Sequence, residues 1–230
     1  MTCYALLPAA GRGSRFAVAQ PKQYLPLAGK PMLWHAVAAL CRPPVELVFV
    51  VLAPGDTAFA AYDWGSFAGK IEPLYCGGPT RRDTVYNGLV AAMAAVQADD
   101  WVLVHDAARP CLPASDLARL YEECRNDEIG GILALPTADT VKRVDKDETG
   151  AQRIAGTEDR TQLWLAQTPQ MFRAGLLAHA LRQAKGTVTD EASAVEQLGL
   201  KPRLVPGSRE NLKVTWPEDL AIAQAILSRR

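Results

Sequence analysis

Five short apolar runs rich in β-branched and aromatic residues, at 4–7, 45–52, 70–76, 101–104 and 131–135, recur along the chain with helical composition between several of them. A strand that reads as a nearly unbroken apolar run must be covered on both faces, and alternation with helices favours parallel pairing through crossovers. The pattern predicts an α/β protein, Rossmann-like, with a mostly parallel sheet and helices on both faces. Helices are expected at 32–41, opened by Pro31, and at 82–96. Two more are expected at 117–126, capped by Ser115 or Asp116, and at 218–226, introduced by Pro217. A chain of 230 residues, 49% of them hydrophobic, is long enough for one sizeable core and short for two, so residues 1–230 are expected to form one domain.

One segment breaks the pattern. Residues 137–160 are densely charged, their few apolar side chains (Val141, Val144, Ile154) alternate with charges, and Thr149-Gly150 could turn a hairpin. Too polar for a central strand, this segment is expected to project as a β-arm. An isolated two-stranded arm is marginal in water, so packing against another subunit is expected.

The 25 Lys and Arg balance 25 Asp and Glu, which leaves no global basic field for a nucleic-acid backbone and argues against long DNA or RNA as a partner. No apolar run approaches the roughly 20 residues that span a bilayer, and the first seven residues are too few for a signal-peptide core. Cys3, Cys41, Cys76, Cys111 and Cys124 are odd in number and widely spaced, which argues against a disulfide framework and a thiolate metal site. A cytoplasmic protein with reduced thiols is expected. Net neutrality hides an asymmetry, however. The first 45 residues carry Arg12, Arg15, Lys22, Lys30 and Arg42 and no carboxylate, the first being Glu46. So one-sided a segment points to an anionic ligand.

The first strand runs into Leu7-Pro8-Ala9-Ala10-Gly11-Arg12-Gly13-Ser14-Arg15-Phe16, followed by Pro21-Lys22-Gln23. A small-residue loop at the carboxyl end of a first strand lies where open α/β sheets bind ligands, and glycines there let backbone amides approach phosphate oxygens. A dinucleotide fingerprint would need glycine where Phe16 stands, and a Walker loop is absent. A second constellation, Val104-His105-Asp106-Ala107-Ala108-Arg109-Pro110, follows the fourth strand. Asp106, just past a buried strand, suits a polar substrate group or a hydrated metal, or else anchors its loop. His105 reads as a structural hydrogen-bonder, and His35 and His179 lack partners at metal-ligand spacing.

These two stretches, together with Thr168-Pro169-Gln170, Thr189-Asp190-Glu191-Ala192-Ser193 and Asn211-Leu212-Lys213-Val214-Thr215, resemble the 2-C-methyl-D-erythritol 4-phosphate cytidylyltransferase family over nearly the whole chain. The resemblance implies a nucleotide-diphospho-sugar transferase type of fold and transfer of CMP from CTP to 2-C-methyl-D-erythritol 4-phosphate, with pyrophosphate leaving. A phosphate already ionised near neutral pH would attack the α-phosphate in line and need no general base. The resemblance implies that Arg15 and Lys22 stabilise developing charge, that Lys213 and Arg160 act with them, and that Pro8, Ala9, Ala10, Gly11, Arg12, Gly13, Ser14, Gly77, Gly78, Thr84, Asp106 and Ala107 hold the nucleotide. It implies that Asp106, Thr168, Thr189 and Lys213 bind the acceptor, and that Arg109, Thr140 and Arg160 are presented by a neighbouring subunit of a homodimer. Pro79 has no amide hydrogen to donate and is left out of the expected site. Magnesium or another divalent cation is implied, held mainly by nucleotide phosphates and water, with no direct protein ligand.

Within the same class, a ribitol 5-phosphate cytidylyltransferase would share the loop and the lysine, and a sugar-1-phosphate nucleotidyltransferase is a more distant alternative. A noncatalytic nucleotide-binding module is the alternative from another class. The joint presence of Arg15, Lys22, Asp106 and Lys213 argues against it. A nucleotide-sugar glycosyltransferase would be expected to carry an Asp-x-Asp motif after a strand, which is absent.

Overall fold

A computed structural model describes residues 1–11 and 20–230. Its centre is a seven-stranded sheet in the order β11-β7-β10-β6-β1-β4-β5. Here β1 is Cys3–Pro8, β4 Val48–Val51, β5 Ile71–Leu74, β6 Trp101–Val104, β7 Gly130–Pro136, β10 Trp164–Arg173 and β11 Arg203–Pro206. Every pairing is parallel except the two made by β10. The short strands β2 (Pro26–Leu27) and β3 (Lys30–Pro31) form a separate hairpin.

The central strands show why so few residues specify the sheet. In β1, Ala5 and Leu7 enter one apolar cluster while Leu6 enters the other; in β4, Val48 and Val50 oppose Phe49 and Val51; in β6, Trp101 and Leu103 oppose Val102 and Val104. Each pleat thus feeds two cores. The first lies under α1 (Met32–Leu40) and α3 (Ala114–Cys124), the second under α2 (Arg81–Ala92), α4 (Ala174–Gln183) and α5 (Glu191–Glu196). Full burial of each Leu or Val contributes about 1.5–3 kcal/mol. A smaller cluster of Leu27, Met32, Cys111, Val214 and Ala223 fastens α6 (Asp219–Leu227) beside the first.

The expected helices are present with shifted ends. The second runs 81–92 rather than 82–96, its N-cap being Thr80, whose hydroxyl accepts from the Asp83 amide. The third begins earlier than expected, with Pro113 at the cap position and neither Ser115 nor Asp116 there. Asp116 is instead buried within the first turn and paired with Arg119 at 3.2 Å. Beyond the expected elements appear β10, α4, the short α5 and β11. The strand β10 slips register between Ala166 and Gln170, and Pro169 sits in that irregularity, where a missing amide breaks no ladder bond.

The hairpin expected within 137–160 is formed by β8 (Lys142–Lys146) and β9 (Gln152–Thr157), a sheet separate from the main one. Gly150, at φ 79°, makes the turn, and its amide donates to the Asp147 carbonyl. Val144 pairs across from Ile154, and the two are 56% and 69% exposed.

Candidate active site

Because β5, β4, β1 and β6 run parallel, their carboxyl ends share one sheet edge, and the loops leaving three of them line a cleft of about 610 Å³. From β1 come Pro8, Ala9, Ala10 and Gly11. The Ala9 amide donates to the Val51 carbonyl at 2.8 Å, and the Ala9 carbonyl accepts from the Gln23 side chain at 2.6 Å. That bond ties the strand end to the single helical turn Lys22–Tyr24, which carries Lys22 to the cleft. Arg12, Gly13, Ser14 and Arg15 lie outside the described residues.

The loop after β5 supplies Gly78, Pro79 and Thr80. A Cβ on Gly77 would stand 2.3 Å from the Ala10 Cβ and 2.8 Å from the Leu52 carbonyl, so this turn packs against the β1 loop only with glycine. Thr84 lines the cleft from the first turn of α2. Its hydroxyl accepts from the Gly78 amide at 3.1 Å and donates to the Thr80 carbonyl at 2.9 Å, holding the glycine loop to the helix. Pro79, left out of the site on chemical grounds, does line the cleft; a ring without an amide hydrogen still forms a wall.

The loop after β6 carries Asp106 and Ala107, and Lys213 reaches the same cleft from the far end of the sequence. The Val214 amide donates to the Ala108 carbonyl at 2.8 Å, and Lys22 Nζ donates to the Val214 carbonyl at 2.7 Å. The 213–214 segment is therefore stitched between the loops of β1 and β6. Lys213 Nζ stands 2.7 Å from one oxygen of Asp106, and Arg81 Nε 2.9 Å from the other. Burial disfavours the Asp106 carboxylate, but Arg81, Lys213 and Arg109 outweigh that and hold its carboxyl far below the usual range.

Behind this edge the fold is knitted by groups that do not line the cleft. The Asp106 amide donates to the Thr168 hydroxyl at 3.0 Å, which in turn donates to His105 Nδ1 at 3.0 Å. His105 Nε2 lies 3.0 Å from the Arg109 carbonyl, which fixes the Nε2–H tautomer. Burial pushes the imidazole down to about 4, so it is neutral and, as expected, structural.

Thr168, expected at the acceptor, is 4% exposed with its hydroxyl committed to these bonds. Arg109, expected from a neighbouring subunit, is 8% exposed and donates to the Asn211 carbonyl of its own chain at 2.6 Å. A guanidinium so enclosed serves the loop that carries Asp106. Thr189 is exposed on the turn before α5, and Thr140 and Arg160 are exposed at the base of the arm, where Arg160 donates to the Ala138 carbonyl. Two charged groups were missed by sequence reasoning, Arg81 on the cleft wall and Glu191 behind it; Glu191 stood inside a quoted motif, but nothing in the sequence ties it to Arg81.

The profile of the family described as 2-C-methyl-D-erythritol 4-phosphate cytidylyltransferase matches residues 3–229. A protein of Dechloromonas aromatica (strain RCB) bearing that same description is 55% identical over 228 residues, spanning 99% of this chain and 98% of its own. A crystal structure of a 4-diphosphocytidyl-2C-methyl-D-erythritol synthase superposes with a TM-score of 0.85 at 44% identity, covering 98% of each chain. The Francisella tularensis 2-C-methyl-D-erythritol 4-phosphate cytidylyltransferase gives 0.81 at 36% identity, over 98% of this chain and 100% of the other.

Proposed function

This chain belongs to the 2-C-methyl-D-erythritol 4-phosphate cytidylyltransferase family, and on that premise we propose that it transfers CMP from CTP to 2-C-methyl-D-erythritol 4-phosphate at the cleft described above, releasing pyrophosphate. The observation that carries the siting is the convergence of two lysines from opposite ends of the chain. Lys22 and Lys213 line one cleft and are linked through the backbone of residue 214. The rest of the lining is made of small residues together with Gln23, Met32 and Arg81, with Asp106 as its carboxylate among the described residues.

The α-phosphate is attacked by an ionised oxygen of the acceptor phosphate, a P–O bond forms, and the bond to pyrophosphate breaks on the opposite side. No proton has to be removed from the nucleophile, so the histidines have no part in the step. Lys22, with Arg15, takes the charge that accumulates on the α- and β-phosphate oxygens, and Lys213 holds the acceptor phosphate beside them. Asp106 accepts hydroxyl groups of the ligands. Thr168 acts through the Asp106 amide, and Thr189 closes the acceptor end.

A divalent cation is the family's expected cofactor. Among the described residues no group of three or more His, Cys, Asp or Glu could cage one, and both oxygens of Asp106 already face cations. The lysines of the cleft suit polyphosphate rather than a bare ion, so magnesium would be held by the triphosphate and water and would supply screening of the repulsion between phosphates.

The arm is assigned to a homodimer. Val144, Ile154, Trp164 and Leu165 are exposed along it and its base, an apolar surface suited to a second copy that would carry Thr140 and Arg160 toward the neighbouring acceptor site. The test is pyrophosphate release with magnesium, CTP and methylerythritol 4-phosphate, with ribitol 5-phosphate and UTP in parallel. Release only with the first pair is expected; release with ribitol 5-phosphate instead would keep the mechanism and replace the acceptor.

A further inference from the structure

The carboxylate at the centre of the cleft is held by two cations that differ in freedom. Lys213 is 45% exposed at its side chain and stands on a segment without regular structure. Arg81 is the first residue of α2, and its guanidinium makes a two-point pair with Glu191, Nη1 and Nη2 donating to the two oxygens at 2.7 and 3.0 Å. Glu191 is 1% exposed and sits in the first turn of α5, a helix fixed by a capping box of Asp190 and Ser193. With both terminal nitrogens of its fork committed to Glu191, Arg81 can direct Nε only where the planar group points, onto Asp106 at 2.9 Å.

We propose that Arg81, aimed by Glu191, is the positioning residue of the acceptor site, holding Asp106 ionised and oriented when Lys213 turns from it to the acceptor phosphate. This rests on the functional reading above. A lysine that binds the incoming phosphate gives up some of its contact with Asp106, and a buried carboxylate left alone would take up a proton. The groups facing Asp106 are Arg81 from α2, Lys213 from the C-terminal segment, and Arg109 and His105 from its own loop. His105 is neutral, and Arg109 donates through its two terminal nitrogens to carbonyls and makes no hydrogen bond to Asp106, so Arg81 is the cation whose hydrogen bond remains.

The variant that tests this is Arg81→Gln combined with Glu191→Gln. It removes one cation and one anion together, leaves no charge buried alone, and keeps side chains of similar size. Thermal unfolding within a few degrees of the parent checks that it folds. The parent/variant ratio of kcat/KM for the acceptor should be at least ten at pH 7.5 and should increase further as pH falls toward 5. Taking the ratio cancels the acceptor phosphate's own ionisation. Independently of turnover, the Asp106 carboxyl followed by ¹³C NMR in substrate-free protein, assigned with Asp106→Asn, should titrate at higher pH in the double variant. That readout stands even if no acceptor is converted, which separates failure of this inference from failure of the functional reading. An unmoved titration, or a moved titration with unchanged kcat/KM, would overturn the proposal; so would a loss of kcat/KM without any change in titration, since Arg81 would then act on substrate directly.

Discussion

At the scale of single residues, the site is a cluster of charges whose sign could be read from the sequence and whose partners could not. Lys22 is the sharpest test of the chemistry: Lys22→Ala should lower kcat by about a hundred- to a thousandfold, as loss of one preorganised donor does, with KM for the acceptor little changed. His105 gives a test through stability. Its folded pKa, about 4, lies below the ordinary value of 6.5, so between these the unfolded chain binds more protons and stability rises with pH. Urea midpoints should therefore decline as pH drops from about 6.5 toward 4, and the decline should be shallower in His105→Gln. Lys22, Asp106 and Lys213 were legible because a short-loop motif or a family pattern surrounds each. Arg81 and Glu191 were not, because 110 positions separate them and only the packing of α5 against α4 and the sheet makes them neighbours.

At the scale of elements, helix α2 links fold to site. Its cap residue Thr80, its first residue Arg81 and its second-turn Gly88 each depend on where the helix starts and how near it lies to β4, where a Cβ on Gly88 would stand 2.3 Å from a Val51 methyl. Thr80→Ala should cost about 0.5–2 kcal/mol of stability by denaturant unfolding, as loss of an N-cap does, and should lower kcat/KM as well because the cap sets the angle of Arg81. In the core, Leu103→Ala on β6 should cost about 2–5 kcal/mol, since the residue is fully buried in the first cluster. Elements with an unbroken apolar run or a proline-led helical face were readable. The strand β10 was not: its proline argues locally against a central strand, and only the bulge between two flanking strands makes it tolerable.

At the scale of the whole molecule, the arm is the part whose sequence makes least sense in one chain. Its strands leave Val144 and Ile154 facing water across from each other. If the arm joins two copies, Val144→Asp with Ile154→Asp should shift sedimentation toward monomer and lower specific activity on dilution, with thermal stability of the single chain nearly unchanged. Among the described residues no helix is long and apolar enough to cross a membrane. The sequence by itself determined the layered α/β class, the strands that feed both cores and the hairpin of β8 and β9, because each follows from local periodicity, turn chemistry or composition. Tertiary structure alone decided which of the implicated groups face the cleft. It turned Thr168 and Arg109 inward to hold the Asp106 loop, brought Lys213 beside Lys22, and aimed Arg81 through Glu191. Burial and charge pairing between residues a hundred or more positions apart depend on how the helices pack on the sheet, which no local pattern encodes.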